Sequence, residues 1–392
     1  MRTEYNTISS WMGVFKERAK QIWVSNNQEF EQAAEENPDF KISGSLHSYN
    51  RAALHHTVIH LEGEFKNIVQ MDNGNYMVGA GATIEEVAIR LMKDGRRLLN
   101  SGNHMKQTLV GAMLGGTHGF GPDASMVDMI VKSYQFDGYT ELIRAVQIRT
   151  LPLASYAVVN CVCKLSDLIQ KQRAWSEVAY AVLPYSGEDP TCIVANYAKM
   201  RSYFKPNSVH GLGRKIPWSW WKLRLWWAVD AYFPPLRRLI QKFSNFLTAK
   251  TWQVTASAYD IDFRYDTAPG TSGDTLNFLL WAYKPTHTSF NIALHFKPED
   301  TEEVIKFIVS ESEKIKPGML RNFIGVRKLT TKSNWALAGN FECPTDAIDM
   351  YCSPKDAKHL MELQFRLQAN FWTMAHRGKT VDDETLFEEN IV

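Results

Sequence analysis

The sequence predicts an α+β protein of two domains. Three observations carry this prediction. Strand-like and helix-like segments follow one another in irregular order, no internal repeat relates them, and 392 residues leave room for a second domain. Hydrophobic residues make up 45% of the chain, enough for sizeable cores. The 44 basic and 42 acidic residues nearly cancel, which removes any global electrostatic argument for nucleic acid as a partner.

The elements follow from local pattern. "SNNQEFEQAAEENPDF" reads as an amphipathic helix with Asn26 or Asn27 as its N-cap and Pro38 beyond its end. "KISGSLHSYN" reads as a short strand running into a glycine-containing turn. "HHTVIHLEG" and "NIVQMDNGNYMVGAGA" are rich in β-formers, with an Asp72-Asn73-Gly74 turn between strands. "TIEEVAIRLMKDG" is a helix that Thr83 and Glu86 cap and Gly95 closes, with Ile84, Val87, Ala88 and Leu91 on one face. "VDMIVKSYQFDGYTELIRAVQIRTLP" predicts strands about an Asp137-Gly138 turn, and residues 166–250 read as helices and loops. Beyond them, "TWQVTASAYDIDFRYD", "SFNIALHFK" and "FIGVRKLT" read as strands. "TEEVIKFIVSESEKI" and "PKDAKHLMELQFRLQANFWTMAH" read as helices.

Five cysteines without metal-ligand spacing point to a reducing compartment, and Cys161 and Cys163 fit a buried strand better than a redox pair. The first residues contain no uninterrupted apolar stretch of signal-peptide type, and no run of about 20 apolar residues occurs. The expectation is an intracellular protein, cytoplasmic or peripherally attached to a membrane, and not secreted.

Two stretches stand out. "ISGSLHSYN", residues 42–50, holds a histidine among small residues; alone, it reads as a polar turn or as backbone approaching a ligand closely. "NSGNHMKQTLVGAMLGGTHGFG", residues 100–121, packs six glycines among apolar residues without a proline. Glycine in such company suggests backbone amides lying against a phosphate or a flat ring, though no strand–GxGxxG–helix unit surrounds it.

Together the two stretches resemble the GxGHS and NLG…QTIAG…GTHG segments of the FAD-dependent sugar-lactone and alditol oxidases. These belong to the vanillyl-alcohol-oxidase-type (VAO-type) flavoproteins. The match spans roughly residues 20–135 and resumes at "MAHRGKTV", which looks like the family's histidine–x–glycine–lysine ending. The resemblance implies a two-domain FAD-binding fold with an α+β cap. Residues 1–160 would form the N-terminal part of the FAD domain, 161–370 the substrate and cap domain, and 371–392 a C-terminal return.

It further implies FAD as cofactor, lined by Gly44, Ser45, Leu46, His47 and Ser48 from the first stretch. From the second come Ser101, Gly102, Gln107, Thr108, Gly111, Gly116, Thr117, His118 and Gly119, with His118 alternatively a structural turn residue. In several members the matching histidine is bonded covalently to the isoalloxazine ring. His47 is therefore the attachment point or a non-covalent neighbour of the cofactor.

The implied reaction oxidises a CH–OH group of a sugar-derived alcohol or aldonolactone, with electrons passing to oxygen or another acceptor. Arg327, Lys379 and His376 match the family's catalytic arginine, lysine and histidine. Gly325 stands where its Glu-x-Arg pair has glutamate. A small-residue segment between GTHG and the cap is also shortened. Both departures admit a second reading, a flavin-binding or scaffold protein with lost or altered catalysis. The tryptophan-rich stretch at residues 216–243 carries Trp220, Leu223 and Trp227 at helical spacing beside Lys222, Arg224, Arg237 and Arg238. It suits either a cap helix or peripheral membrane contact, and in the latter case a lipid-linked sugar substrate.

Overall fold

The computed structural model describes residues 1–102, 106–121, 124–152, 155–171, 178–199, 261–265, 289–320 and 324–381. The tryptophan-rich stretch at 216–243 lies outside the described residues. The chain opens with a hairpin of β1 (Arg2–Ser9) and β2 (Lys16–Val24), followed by α1 (Asn27–Glu36), β3 (Lys41–Ile42) and β4 (Thr57–Leu61). Asn26 caps α1 by accepting the Glu29 N–H at 2.9 Å. β2, β4 and β3 pair in parallel, giving a four-stranded sheet in the order β1-β2-β4-β3.

A second four-stranded sheet, β5-β6-β9-β8, contains β5 (Ile68–Gln70), β6 (Tyr76–Gly79), β8 (Ile130–Phe136) and β9 (Tyr139–Ile148). Gly74 and Gly138 take positive φ at its two turns, +77° and +78°, where a Cβ would be strained. Between the strands lie α2 (Ile84–Lys93), with the full Thr83–Glu86 capping box, β7 (Arg96–Arg97) and α3 (Leu109–Leu114). Ile84, Val87 and Leu91 face one core with Phe30, Tyr76, Leu109, Met113 and Val146. β7 pairs with β10 (Leu151–Pro152).

The larger sheet has eight strands in the order β14-β11-β13-β12-β16-β17-β15-β18. They are β11 (Ser155–Lys164), β12 (Val178–Leu183), β13 (Thr191–Lys199), β14 (Ile261–Tyr265), β15 (Phe290–Phe296), β16 (Ile324–Leu329), β17 (Thr345–Cys352) and β18 (Met374–Ala375). α4 (Leu165–Lys171), α5 (Thr301–Ile315) and α6 (Ala357–Asn370) are the remaining described α-helices. Leu165, Ile305, Ile308, Leu360 and Leu363 share a core with Tyr180, Ile292 and Ile348 of the sheet. β11 runs across residue 160, where the sequence reading divides the chain, and its full length pairs within this sheet.

Three local expectations change. β12 and β13 lie within 166–250, which reads as helical and loopy; "VAYAVL" and "TCIVANYAK" are short apolar runs whose strand state is settled by pairing with β11 and β16. The last helix stops at Asn370, and Met374–Ala375 instead joins β15. The N-terminal hairpin has no signal in the sequence, because six of the eight β1 residues are exposed and no alternation develops.

Candidate active site

The segment after β3 is held on both sides. Ser45 Oγ donates to the Lys106 carbonyl at 2.7 Å, and Gly44 lies so close to Thr108 that a Cβ would overlap the threonine hydroxyl. Gly111 lies against the same hydroxyl, so both glycines are needed for the two stretches to meet. Leu46 adopts φ +53° at the third position of the GxGHS pattern, a conformation that suits the pattern's glycine. The N-terminal hairpin closes the other side. The Trp11 N–H donates to the Ser48 carbonyl at 2.8 Å, and the Trp11 and His47 rings stack with centroids 4.2 Å apart.

A cavity of about 650 Å³ opens between these stretches. Gly44, Ser45, Leu46, His47, Ser48, Gln107, Thr108 and Gly111 all line it. A neighbouring cavity of about 480 Å³ shares Gly44, Ser45, Thr108 and Gly111 and extends to Trp23 and His60. Both fall in the size range of cofactor sites. Lys41 and Arg377 also line the first cavity, two cations that sequence reasoning missed and that suit a diphosphate. Gly44→Val is expected to empty this site: the added methyls enter the space of Thr108, so flavin absorbance per protein should fall at least several-fold on purification.

Ser101, Gly102, Gly116, Thr117, His118 and Gly119 do not line either cavity. They build a compact turn instead. Gly102 abuts Thr117, Gly119 abuts the Asn100 side chain, and Gly116 has φ +74°. The Thr117 N–H donates to Ala112 O at 2.9 Å, and Ser101 Oγ to Gly102 O at 2.9 Å. The product of this turn is the placement of His118, whose Nδ1 lies 2.9 Å from the Gly119 carbonyl.

His118 sits in a buried group of three imidazoles. Its ring centroid is 4.9 Å from His295 of β15 and 5.5 Å from His376; His295 and His376 are 6.2 Å apart. His118 Nε2, His295 Nε2 and His376 Nδ1 are buried with no hydrogen-bond partner among the described residues. Burial lowers the basicity of all three, reinforced for His376 by Lys379 and for His118 by His295, and His295 falls to about 4. At neutral pH they are therefore uncharged, each with an open nitrogen. Buried orphan nitrogens of this kind call for a ligand or water as partner.

Beside them lies a charged cluster. Lys379 Nζ donates to Asp349 Oδ1 at 2.5 Å, and Arg327 approaches Asp349 Oδ2 at 3.7 Å. Asp349, on β17, is 1% exposed. Burial pushes its carboxyl up, but Lys379 and Arg327 outweigh that and hold it below the ordinary carboxylate range. Lys379 is itself lowered by burial, against the pull of Asp349. A solvated tail residue would show neither the burial nor the partner.

In this buried group, Asp349 and His295 are the residues that sequence reasoning missed. Asp349 is the cross-strand partner of Gly325, the position where glutamate was expected. A carboxylate thus enters the cluster from the adjacent strand. The available signal was a charged residue in the otherwise apolar "AIDMYC", and for His295 a histidine in "FNIALHF".

The C-terminal segment joins this cluster to the cavity. The Tyr49 N–H donates to Gly378 O at 2.7 Å, and Asn50 Nδ2 donates to the Arg377 and Thr380 carbonyls at 2.7 Å each. The Gly378 N–H donates to Gly115 O at 3.0 Å. Ser48, His376 and Lys379 are therefore tied into one framework.

Comparison with known proteins agrees with this geometry. Residues 28–138 match the FAD binding domain family. No curated protein sequence matches the chain. Among solved structures, cholesterol oxidase from B. sterolicum is similar over 96% of this chain and 86% of its own, with 10% identity and a TM-score of 0.70. Physcomitrella patens BBE-like 1 is similar over 96% and 88%, with 10% identity and a TM-score of 0.57. A VAO-type flavoprotein from Myceliophthora thermophila is similar over 94% and 73%, with 9% identity and a TM-score of 0.55. The chain has the VAO-type FAD-binding fold, α+β in class, and its cofactor is FAD. The cavity lined by glycines, hydroxyls and two cations, with orphan imidazole nitrogens nearby, fits that cofactor. Among the described residues, no helix is long and apolar enough to cross a membrane.

Proposed function

We propose that the protein is an FAD-dependent oxidoreductase acting on a CH–OH group, with a sugar-derived alcohol or aldonolactone as substrate. Residues 1–160 and 371–392 hold the cofactor, and residues 161–370 cap it. The observation that carries this reading is the buried Arg327–Asp349–Lys379 cluster beside three neutral imidazoles with open nitrogens. When bound, FAD supplies the acceptor for a hydride and relays the electrons to oxygen or another acceptor. The protein's own part is electrostatic and acid–base.

Two cations and one carboxylate leave the cluster with a single net positive charge, in a site where burial strengthens its field. Negative charge developing nearby is stabilised by that field. A neutral imidazole with an open nitrogen, at His376 Nδ1 or His118 Nε2, is able to accept a hydrogen bond from the substrate's hydroxyl and orient it. Asp349 is a poor proton acceptor because the two cations stabilise its anion. It serves by fixing Lys379 and Arg327 in place.

The reading is tested by mixing the yellow holoprotein anaerobically with polyols, aldonolactones and cholesterol. Bleaching of the flavin band by a member of the first two classes supports it. Bleaching by cholesterol alone would replace the substrate class and keep the reaction. No bleaching by any CH–OH compound would favour the second reading, a flavin-binding protein without turnover, which Gly325 and the six-residue passage from β9 to β11 motivate.

Covalent attachment at His47 is tested separately. Acid precipitation should leave the wild-type pellet yellow and the His47→Ala pellet colourless; a colourless wild-type pellet would make His47 a non-covalent neighbour.

A further inference from the structure

Asp39, His55 and His56 form a cluster on the outer edge of the first sheet, apart from the site above. We propose that these three side chains bind a divalent transition-metal ion, with zinc(II) as the ion their chemistry matches. Two imidazole nitrogens and one carboxylate oxygen form a three-ligand set of zinc type that leaves a fourth position for water.

Strand pairing explains why the three meet. β3 and β4 run parallel with Lys41 opposite Val58, so two residues upstream Asp39 comes level with His56. His55 follows the same turn into β4. Its Nε2 lies 3.4 Å from Asp39 Oδ1, and His56 Nε2 lies 3.3 Å from Asp39 Oδ2. All the ligand atoms fall within 4.8 Å of one another. A tetrahedral ion about 2.1 Å from each donor would separate its donors by about 3.4 Å; the edge from His55 Nε2 to Asp39 Oδ1 already has that length, and His56 Nε2 lies as close to the other oxygen of the same carboxylate.

The orientation of His55 adds an independent observation. Its Nδ1 lies 3.0 Å from the Thr57 carbonyl. The Thr57 N–H also lies 3.3 Å from that nitrogen, so both tautomers find a partner there; an ion on Nε2 selects the one in which Nδ1–H donates to the carbonyl. A backbone carbonyl behind the ring is the arrangement that fixes metal-binding histidines. The His55 and His56 rings lie 4.1 Å apart, tilted by 34°, with both Nε2 atoms turned to the same carboxylate. Asp39, 77% exposed on its side chain, adjusts its rotamer at little cost.

The site has a structural consequence. The chain between the ligands lines the cofactor cavity with residues 41–48, Ala52 and Ala53. An ion joining Asp39 to His55 and His56 closes that chain into a loop, which stabilises the folded state by mass action.

The test uses the full-length holoprotein, stripped with a chelator and titrated with zinc chloride by calorimetry. Cobalt(II) absorbance serves as a second readout of tetrahedral ligation. The expected result is one zinc ion per chain, with affinity falling on the order of tenfold or more in each of His55→Ala, His56→Ala and Asp39→Asn. Zinc should raise the Tm of the wild type and leave that of the variants unchanged. Asp39→Asn changes only an exposed side chain, so its loss of binding cannot be ascribed to misfolding. Absence of stoichiometric binding, or binding of equal strength in all three variants as thiol ligation would give, overturns the proposal.

Discussion

Asp349→Ala is expected to destabilise the protein by about 3–5 kcal/mol, because removing one partner of a buried ion pair leaves the other charges uncompensated. Here two cations lose their shared anion at once, and Lys379 is itself buried. The loss should appear as a lower urea midpoint at unchanged slope. Asp349→Asn keeps the volume and separates packing from charge. It is expected to retain FAD absorbance while the rate of substrate-driven bleaching falls on the order of 10²-fold, since Lys379 and Arg327 lose the group that orients them. A variant that bleaches at the wild-type rate would remove Asp349 from the proposed site.

The second large effect is a loss of stability in mild acid. His118, His295 and His376 are buried with lowered pKa values, so the unfolded chain takes up protons at these positions before the folded chain does. For a depressed histidine the unfolded state binds more protons, and stability therefore rises with pH across the window. The window opens near the ordinary value of 6.5 and extends down to about 4 for His295. Each histidine contributes on the order of 1 kcal/mol of destabilisation between pH 7 and 5.5. Asp346 acts in the opposite sense. Burial raises its carboxyl to about 6, so its protonation in the fold offsets part of that loss, on the order of 1 kcal/mol or less, over the same interval. The net expectation is a loss on the order of a few kcal/mol, to which His60 and His359, also lowered by burial, add in the same sense, read as a fall in the urea midpoint. His295→Gln should flatten the dependence by about a third. A midpoint independent of pH between 7 and 5.5 would show that these imidazoles are not buried neutral in solution.

The sequence made the cofactor half of the molecule legible because its signals are local. The Thr83–Glu86 capping box, the Asp72-Asn73-Gly74 turn and Gly111 against Thr108 each act on neighbours a few residues away. Their structural counterparts appear where expected. The cavity residues from 44 to 48 and from 107 to 111 follow from the same stretches. The half that holds the proposed catalytic cluster was only partly legible. Arg327, His376 and Lys379 lie in motifs, whereas Asp349 enters by cross-strand register with Gly325, a relation that no sequence spacing reveals. His295 lies 177 positions from His118 along the chain, and only the packing of β15 against the GTHG turn brings them together. The N-terminal hairpin was illegible for a different reason. Its outer strand buries Ile8 alone, so it carries no periodic signal, yet its tip places Trp11 on His47.

The central claim is that the Arg327–Asp349–Lys379 cluster acts on the bound flavin as a source of positive charge. The measurement that tests it most directly is the midpoint potential of the bound flavin in the wild type and in Lys379→Met. Loss of a buried positive charge worth about 1.4–3 kcal/mol to the reduced cofactor should lower the potential by about 30–60 mV, on a two-electron basis. An unchanged potential, with FAD still bound, would place the cluster away from the flavin and contradict the assignment.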